Sequence, residues 1–225
     1  MSNYAATPLG NATEDDAIPI AKSAALKRPF DIVFSCCALL FLAPLFLMVA
    51  CAIGFFSSGP IFFASVRLGK KGKHFHCWKF RTMHLNADDR LHKLLEERID
   101  LKEQWETYCK LKKDPRVTTI GKWLRKTSLD ELPQFWNVLK GTLSVVGPRP
   151  YLPHELEALP KELTNKILSV RPGITGIWQT SGRNALSFEK RLELDARYID
   201  RQSLGLDLWL ICKTIPLMLF PKGAY

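Results

Sequence analysis

The chain has 225 residues, 32 Lys and Arg against 22 Asp and Glu, and a net charge of +10. That length buries a core in one domain, or in one domain plus a membrane element, and no internal repeat or low-complexity block suggests a solenoid. Residues 1–26 hold Glu14, Asp15 and Asp16 against Lys22, a net −2 that leaves +12 on the remainder. Such a body seeks anions: nucleic acid, anionic lipid or a phosphorylated substrate.

Residues 1–26 mix Ser, Asn, Ala, Thr, Pro and acids without periodicity and are expected to form a tail. From Ile32 to Phe56 run 25 residues without a charge, enough to span a bilayer core. Pro44 divides that run into two stretches of 12, each about 18 Å long as a helix, and proline kinks helices. Lys27 and Arg28 precede the run; Arg67, Lys70, Lys71 and Lys73 follow it. Positive flanks at both ends keep both ends cytoplasmic. A helix that dips in, breaks and returns satisfies both observations, while a kinked spanning helix is the plainer alternative. Basic charge beside a membrane segment favours lipid headgroups and phosphates over nucleic acid.

Ile61 to Leu68 and His74 to Thr82, joined by Gly-Lys-Lys-Gly, read as a β-hairpin. On its second strand Phe75, Cys77, Lys79 and Arg81 share a face, which either presents two cations to a phosphate or is a solvated edge. His74, His76 and Cys77 point to opposite faces of that strand, and no second cluster completes a zinc site. The six cysteines include no C-x-x-C pair and read as reduced thiols of a cytoplasmic catalytic part. Asp88 to Lys113 and Phe188 to Asp200 have helical patterns. Leu204 to Phe220 forms a last apolar helix, either buried or interfacial with Trp209 near headgroups; the interface is the favoured reading.

Asp130 and Glu131 stand side by side in a basic block. Asp114-Pro115-Arg116 lies in front, Lys122 and Arg125-Lys126-Thr127-Ser128-Leu129 lead in, and Gly147-Pro148-Arg149-Pro150 follows. Cations that hold a multiply charged substrate, a carboxylate that binds a divalent ion and a carboxylate that attacks phosphorus together suggest phosphate chemistry. Ser128-Leu129-Asp130-Glu131 also fits an S-x-x-E capping box, in which Ser128 and Glu131 cap a helix. The glycines and prolines of Arg171-Pro172-Gly173 and Gly176 either let backbone approach a diphosphate or form a plain loop.

The block from Asp114 to Pro150, with Arg171 to Arg183 and Lys79-Phe80-Arg81-Thr82-Met83, resembles the bacterial sugar transferase family, the monotopic polyprenyl-phosphate phosphoglycosyl transferases. The resemblance spans about residues 27–220. The short form and the terminal Gly-Ala-Tyr are similar, more weakly, to undecaprenyl-phosphate galactose phosphotransferases. It implies an α/β (α+β, helix-rich) membrane-associated catalytic domain with a Pro-broken re-entrant membrane helix. The parts are a tail (1–26), the re-entrant helix (27–60) and a catalytic domain with interfacial helices (61–225). One departure is Ala43 before the break proline, where the family often has Ser.

The resemblance also implies the reaction and its residues. Asp130 attacks the sugar-bearing phosphorus of a UDP-sugar, expelling UMP, and the phosphate of undecaprenyl phosphate takes the sugar phosphate in turn. Glu131 is the Mg²⁺ ligand, and Lys79 matches the family's functional lysine. Arg125 and Arg149 are candidate phosphate clamps, because guanidinium fits phosphate oxygens bidentately; Arg171 and Arg183 join them as substrate-binding candidates. Asp195 falls where the family carries an acidic residue near the site. The expected partners are a UDP-sugar (galactose or glucose), undecaprenyl phosphate and membrane lipid, without nucleic acid, and with a second copy of the chain as a candidate partner. The expected place is the cytoplasmic face of a bacterial inner membrane. A silent membrane scaffold and a tethered nucleic-acid binder are the rival readings; the Asp130–Glu131 pair speaks against the first.

Overall fold

The computed structural model describes residues 20–108, 111, 114–157, 159–182 and 186–219. Two helices open it, α1 (Ile20–Phe41) and α2 (Ala43–Phe56), meeting at an angle of 61°. The break falls where Pro44 requires it. Leu42 caps α2 with non-helical backbone, and Pro44 enters in the first turn, where its missing N–H costs nothing. No side chain caps this end, since the capping position is Leu42. No single described helix is long and apolar enough to cross a membrane; the bent pair together is. Its flanks are bare, with Leu40, Phe41, Leu47, Phe55 and Phe56 all exposed. The helix begins at Ile20, inside the stretch expected as tail, because Ile20-Ala-Lys-Ser-Ala-Ala-Leu26 is composed largely of helix formers; residues 1–19 lie outside the described residues.

The hairpin forms as expected, β1 (Phe62–Leu68) antiparallel to β2 (His74–Phe80), with Phe63 opposite Lys79 and Arg67 opposite Phe75. Its turn places Lys71 in a left-handed conformation between Gly69 and Gly72. Phe80 turns toward α2, where its ring lies 4.7 Å from Phe46 and 5.5 Å from Phe62, beside buried Val49 and Ile53. This aromatic cluster ties the membrane element to the hairpin; burial of each such side chain contributes about 1.5–3 kcal/mol. The helix expected over 88–113 is two helices, α3 (Ala87–Glu97) and α4 (Ile99–Tyr108). Arg98 breaks them with extended backbone and grips Asp100 through two hydrogen bonds of 2.9 and 2.8 Å.

Next come α5 (Thr119–Thr127), a 3₁₀ turn (Leu129–Glu131), α6 (Gln134–Lys140) and β3 (Ser144–Val146). After α7 (Pro153–Glu157) and α8 (Lys161–Ile167), β4 (Gly173–Thr175) pairs in parallel with β3, Ser144 against Gly173 and Val146 against Thr175. The chain closes with α9 (Ile177–Thr180), α10 (Phe188–Asp200) and α11 (Leu204–Leu219). The fold is thus helix-rich α/β, with two small two-stranded sheets among the described residues. α11 answers both readings of its sequence: Asp207 and Leu210 are fully buried against the domain, while Leu208, Trp209 and Ile215 stand half exposed.

The Gly-Pro-Arg-Pro and Arg-Pro-Gly segments meet at this second sheet. A Cβ on Gly173 would stand 2.0 Å from the Gly147 nitrogen, and one on Gly176 2.4 Å from the Gly147 carbonyl oxygen. The glycines therefore let backbone approach backbone, fixing the loop that carries Arg149.

Candidate active site

Thr118 caps α5, its hydroxyl accepting from the Gly121 amide at 2.9 Å, and the Thr82 carbonyl accepts from the Thr118 amide at 3.0 Å. A Cβ on Gly121 would fall 2.0 Å from that carbonyl oxygen, so glycine sets how closely α5 approaches the hairpin. Ser128 ends the helix in a left-handed conformation at φ 58°, and the chain swings into the 3₁₀ turn bearing Asp130 and Glu131. The capping box does not form: Ser128 makes no side-chain cap. Glu131 is drawn instead to Lys79 of β2, whose ammonium lies 2.5 Å from its Oε1 and 4.0 Å from Asp130 Oδ2.

The two neighbouring carboxyls then diverge. Burial pushes Asp130 up to about 6; the Glu131 charge adds to this, while Lys79 and Arg125 oppose it. Burial works the same way on Glu131, but Lys79, by charge and hydrogen bond, with Arg149 and Arg67, outweighs it and holds Glu131 below its ordinary value. Asp130 is thereby a carboxylate more basic than usual beside one held firmly ionised.

Arg125 stands beside Asp130, oriented by donating Nε–H to the Thr82 hydroxyl at 2.9 Å. Arg149 reaches in from the loop after β3, its guanidinium 5.4 Å from the Trp178 ring centre and 3.7 Å from Glu155. Arg67 joins from β1, on the same face as Lys79, with its guanidinium 3.9 Å from Glu155 and donating to the Pro150 carbonyl. Burial and the nearby Arg149 charge push Arg67 below its ordinary value, a sign of cations crowded together. Arg67 was not singled out from the sequence; hairpin register alone would have placed it on the Lys79 face.

Three expected site residues stand elsewhere or lie outside the description. Arg171 donates to the Gly141 carbonyl at 2.8 Å, and Arg28 donates to Val138 and Leu139. Both serve carbonyls at the C-terminus of α6, where cations are favoured, and Arg171 lines neither of the two cavities beside the carboxylate pair. Asp195 is fully buried, accepting from the Arg149 amide at 2.9 Å and the Tyr151 hydroxyl at 2.7 Å, with burial pushing it up to about 6. It fastens the Arg149 loop to α10 and lines neither cavity. Arg183 lies outside the described residues. Of the two cations expected on this face, Lys79 meets the carboxylate pair, while Arg81, one residue past β2, donates to the Ser57 carbonyl at 2.8 Å at the end of α2 and also borders the larger cavity.

Two cavities meet at this cluster and share Arg67, Lys79, Arg125, Ser128 and Glu131. The larger, about 1310 Å³, includes Asp130 and is bordered by Lys122, Lys126, Arg116 and Trp105. The smaller, about 430 Å³, is lined mainly by apolar side chains of α1, α6 and α11. Among the described residues no group of three His, Cys, Asp or Glu converges as a metal cage. The donor set present, two adjacent carboxylates, suits Mg²⁺, which takes one or two carboxylates and completes its shell with water and phosphate oxygens.

The model of the bacterial sugar transferase family matches residues 22–221. The chain is 44% identical over 199 residues, 88% of each protein, to "Exopolysaccharide production protein ExoY" of Sinorhizobium fredii. It is 42% identical over 200 residues, 89% of this chain and 42% of the other, to "Undecaprenyl-phosphate galactose phosphotransferase" of Salmonella typhimurium. Against "UDP-glucose:undecaprenyl-phosphate glucose-1-phosphate transferase" of Klebsiella pneumoniae it is 39% identical over 206 residues, 88% of this chain and 41% of the other. With a carboxylate pair set among cations and a match across nearly its whole length, this chain belongs to the bacterial sugar transferase family.

Proposed function

We propose that the protein transfers a sugar 1-phosphate, galactose or glucose, from a UDP-sugar to undecaprenyl phosphate, releasing UMP, as the first membrane step of exopolysaccharide synthesis. The names of its relatives supply the substrate classes. The observation that carries the chemistry is the Lys79-bridged pair, whose two carboxyls are shifted in opposite directions. Asp130, largely ionised at neutral pH yet more basic than an ordinary carboxylate, attacks the sugar-bearing phosphorus. The bond to the bridging oxygen breaks and UMP leaves with that electron pair, giving a sugar-phosphoryl-aspartate. An oxygen of the acceptor phosphate then attacks the same phosphorus, and Asp130 departs as a free carboxylate.

Arg125 and Lys79 relieve the repulsion between Asp130 and the diphosphate; Arg67 and Arg149 extend that positive field. Glu131, held ionised, would hold Mg²⁺, which would supply further positive charge against phosphate oxygens. The bent pair α1–α2 is the membrane element, re-entering on the cytoplasmic face of the inner membrane, with residues 27–60 dipping and the catalytic domain following from 61. The test is UMP release from UDP-galactose and UDP-glucose with Mg²⁺ and undecaprenyl phosphate. Wild type should release UMP from at least one donor, and Asp130→Asn should lose about 10³-fold or more. Undiminished release by the variant would remove Asp130 from the mechanism.

A further inference from the structure

Arg81 stands between residues that serve the carboxylate pair, yet its guanidinium goes to the membrane element. Nη2 donates to the Ser57 carbonyl at 2.8 Å and to the Ser57 hydroxyl at 3.0 Å. Ser57 is the residue on which α2 ends, and the partial negative charge of a helix C-terminus favours a cation there. The backbone N–H of Arg81 donates to the Ile61 carbonyl at 2.9 Å, on the far side of the same linker. Between these two points Gly59 turns over the guanidinium at φ 108°, where a Cβ would collide with Nη1. The chain leaving α2 is wrapped around one side chain.

For stability alone this is an expensive way to join two elements. Arg81 is 6% exposed, and its Nε and Nη1 find no acceptor among the described residues. Both atoms are sealed from solvent, so no ligand reaches them. An apolar side chain of similar volume often serves a fold as well as a buried charge does. The neighbours of Arg81 show what the guanidinium adds. Phe80, before it, packs on Phe46 and Phe62 beside Val49 and Ile53 of α2. Thr82, after it, is buried and turns toward α5: its hydroxyl accepts from Arg125 Nε at 2.9 Å, and its carbonyl accepts from the Thr118 amide at 3.0 Å. Two successive residues thus grip α2, and the third holds the cation beside Asp130. A displacement at the end of α2 passes through one peptide unit to the hydroxyl that aims Arg125.

We propose that Arg81 is a positioning residue for the transfer reaction: by clamping the end of α2 to the end of β2 it fixes Thr82, and through Thr82 the guanidinium of Arg125. This rests on the reading of Arg125 as a cation that meets the diphosphate of the donor. The set of the active site then depends on the seat of the bent helix pair, and an arginine of the Lys79–Met83 segment serves the reaction without touching the substrate.

The experiment is a double-mutant cycle read by binding without turnover: calorimetric titration of UDP with Mg²⁺ into the full chain in detergent micelles. Arg81→Met and Thr82→Val should each weaken UDP binding about tenfold. The double variant should also lose about tenfold, not a hundredfold, because both changes act through one guanidinium. Thr82→Ser, which keeps the hydroxyl, should stay within about twofold of wild type. Should Arg81→Met not fold, Gly59→Ala takes its place in the cycle; it displaces Nη1 from a residue that lines neither cavity. UDP affinity in Arg81→Met equal to wild type would overturn the assignment and leave Arg81 a structural anchor. A double variant weakened a hundredfold would overturn it too, since Arg81 would then act on the diphosphate by a route of its own. UMP release, measured on the same preparations, tests the reaction separately. The expected binding pattern without UMP release would uphold the clamp and overturn the reaction; UMP release with an unaltered Arg81→Met affinity would do the reverse.

Discussion

Twice in this molecule a lysine is set between two carboxylates, and the two clusters behave differently. At the base of α1, the Lys27 ammonium lies 2.8 Å from Asp207 and 3.5 Å from Asp31. Asp31 Oδ1 also accepts from the Ser144 hydroxyl and the Val145 amide at 3.0 Å each, Asp207 accepts from the Tyr198 hydroxyl at 2.7 Å, and Lys27 donates to the Val146 carbonyl. Both aspartates are at most 1% exposed. At the active site Lys79 and Glu131 keep 28% and 36% of their side chains open, and two cavities abut them. A lysine between two carboxylates makes a joint where hydroxyls and amides enclose it, and on the proposed reading a reaction centre where two cavities adjoin it. Residue type sets what a cluster can do; enclosure decides what it does.

The largest effect should come from removing each lysine in turn. Lys27→Met would strand two buried carboxylates and cost about 3–5 kcal/mol, read as a shift in denaturant unfolding in detergent. Lys79→Met should change stability less, because Glu131 reaches solvent and Asp130 can take up a proton, but should cut UMP release by about a hundredfold. The reverse pattern, a destabilised Lys79→Met and an inactive but stable Lys27→Met, would break the distinction between joint and reaction centre.

Acidity sharpens the same contrast. Asp130 must be ionised to attack, so the rate of UMP release should fall about tenfold per pH unit below about 6. Lys79 favours the ionised form, so Lys79→Met should move that limb to higher pH. Stability runs the other way. The folded Asp130 value lies above the unfolded one, so its contribution is complete below the unfolded value and is lost as pH rises through about 6. Asp130→Asn should therefore be more stable than wild type at pH 8, by about 1–2 kcal/mol, while inactive. An acid limb at the ordinary carboxylate value near 4 would show Asp130 to be less buried than drawn here.

The contrast also explains what the sequence disclosed. Pro44, the Gly-Lys-Lys-Gly turn and the periodicity of residues 188–200 are local signals, and the helix break, hairpin and α10 follow them closely. The Asp130–Glu131 pair was legible because its chemistry is unusual in a basic setting. Capping by Ser128 and Glu131 was equally legible and did not occur, since Lys79, 52 residues away, outcompetes the local bond. The arginines were the least legible. A guanidinium in a motif looks alike whether it meets phosphate or a carbonyl, and the choice is made by partners far along the chain.

Arg171 is the sharpest instance, and its variant should show the smallest effect. Its Nε–H donates to the carbonyl of Gly141, which ends α6 in a left-handed conformation at φ 81°. Arg28 continues to serve the neighbouring carbonyls when Arg171 is lost, so Arg171→Gln should cost only about 1 kcal/mol. KM for the UDP-sugar should stay within about twofold, since Arg171 lines neither cavity. Arg149→Gln provides the contrast: it removes a cation from the cavity wall and should lower activity about tenfold or more. If Arg171→Gln raised KM as strongly as Arg149→Gln without changing the unfolding midpoint, Arg171 would belong to the substrate, and the cap would be incidental. A change in midpoint alone would mean that Arg171 is there to hold α6, the helix that follows the proposed nucleophile.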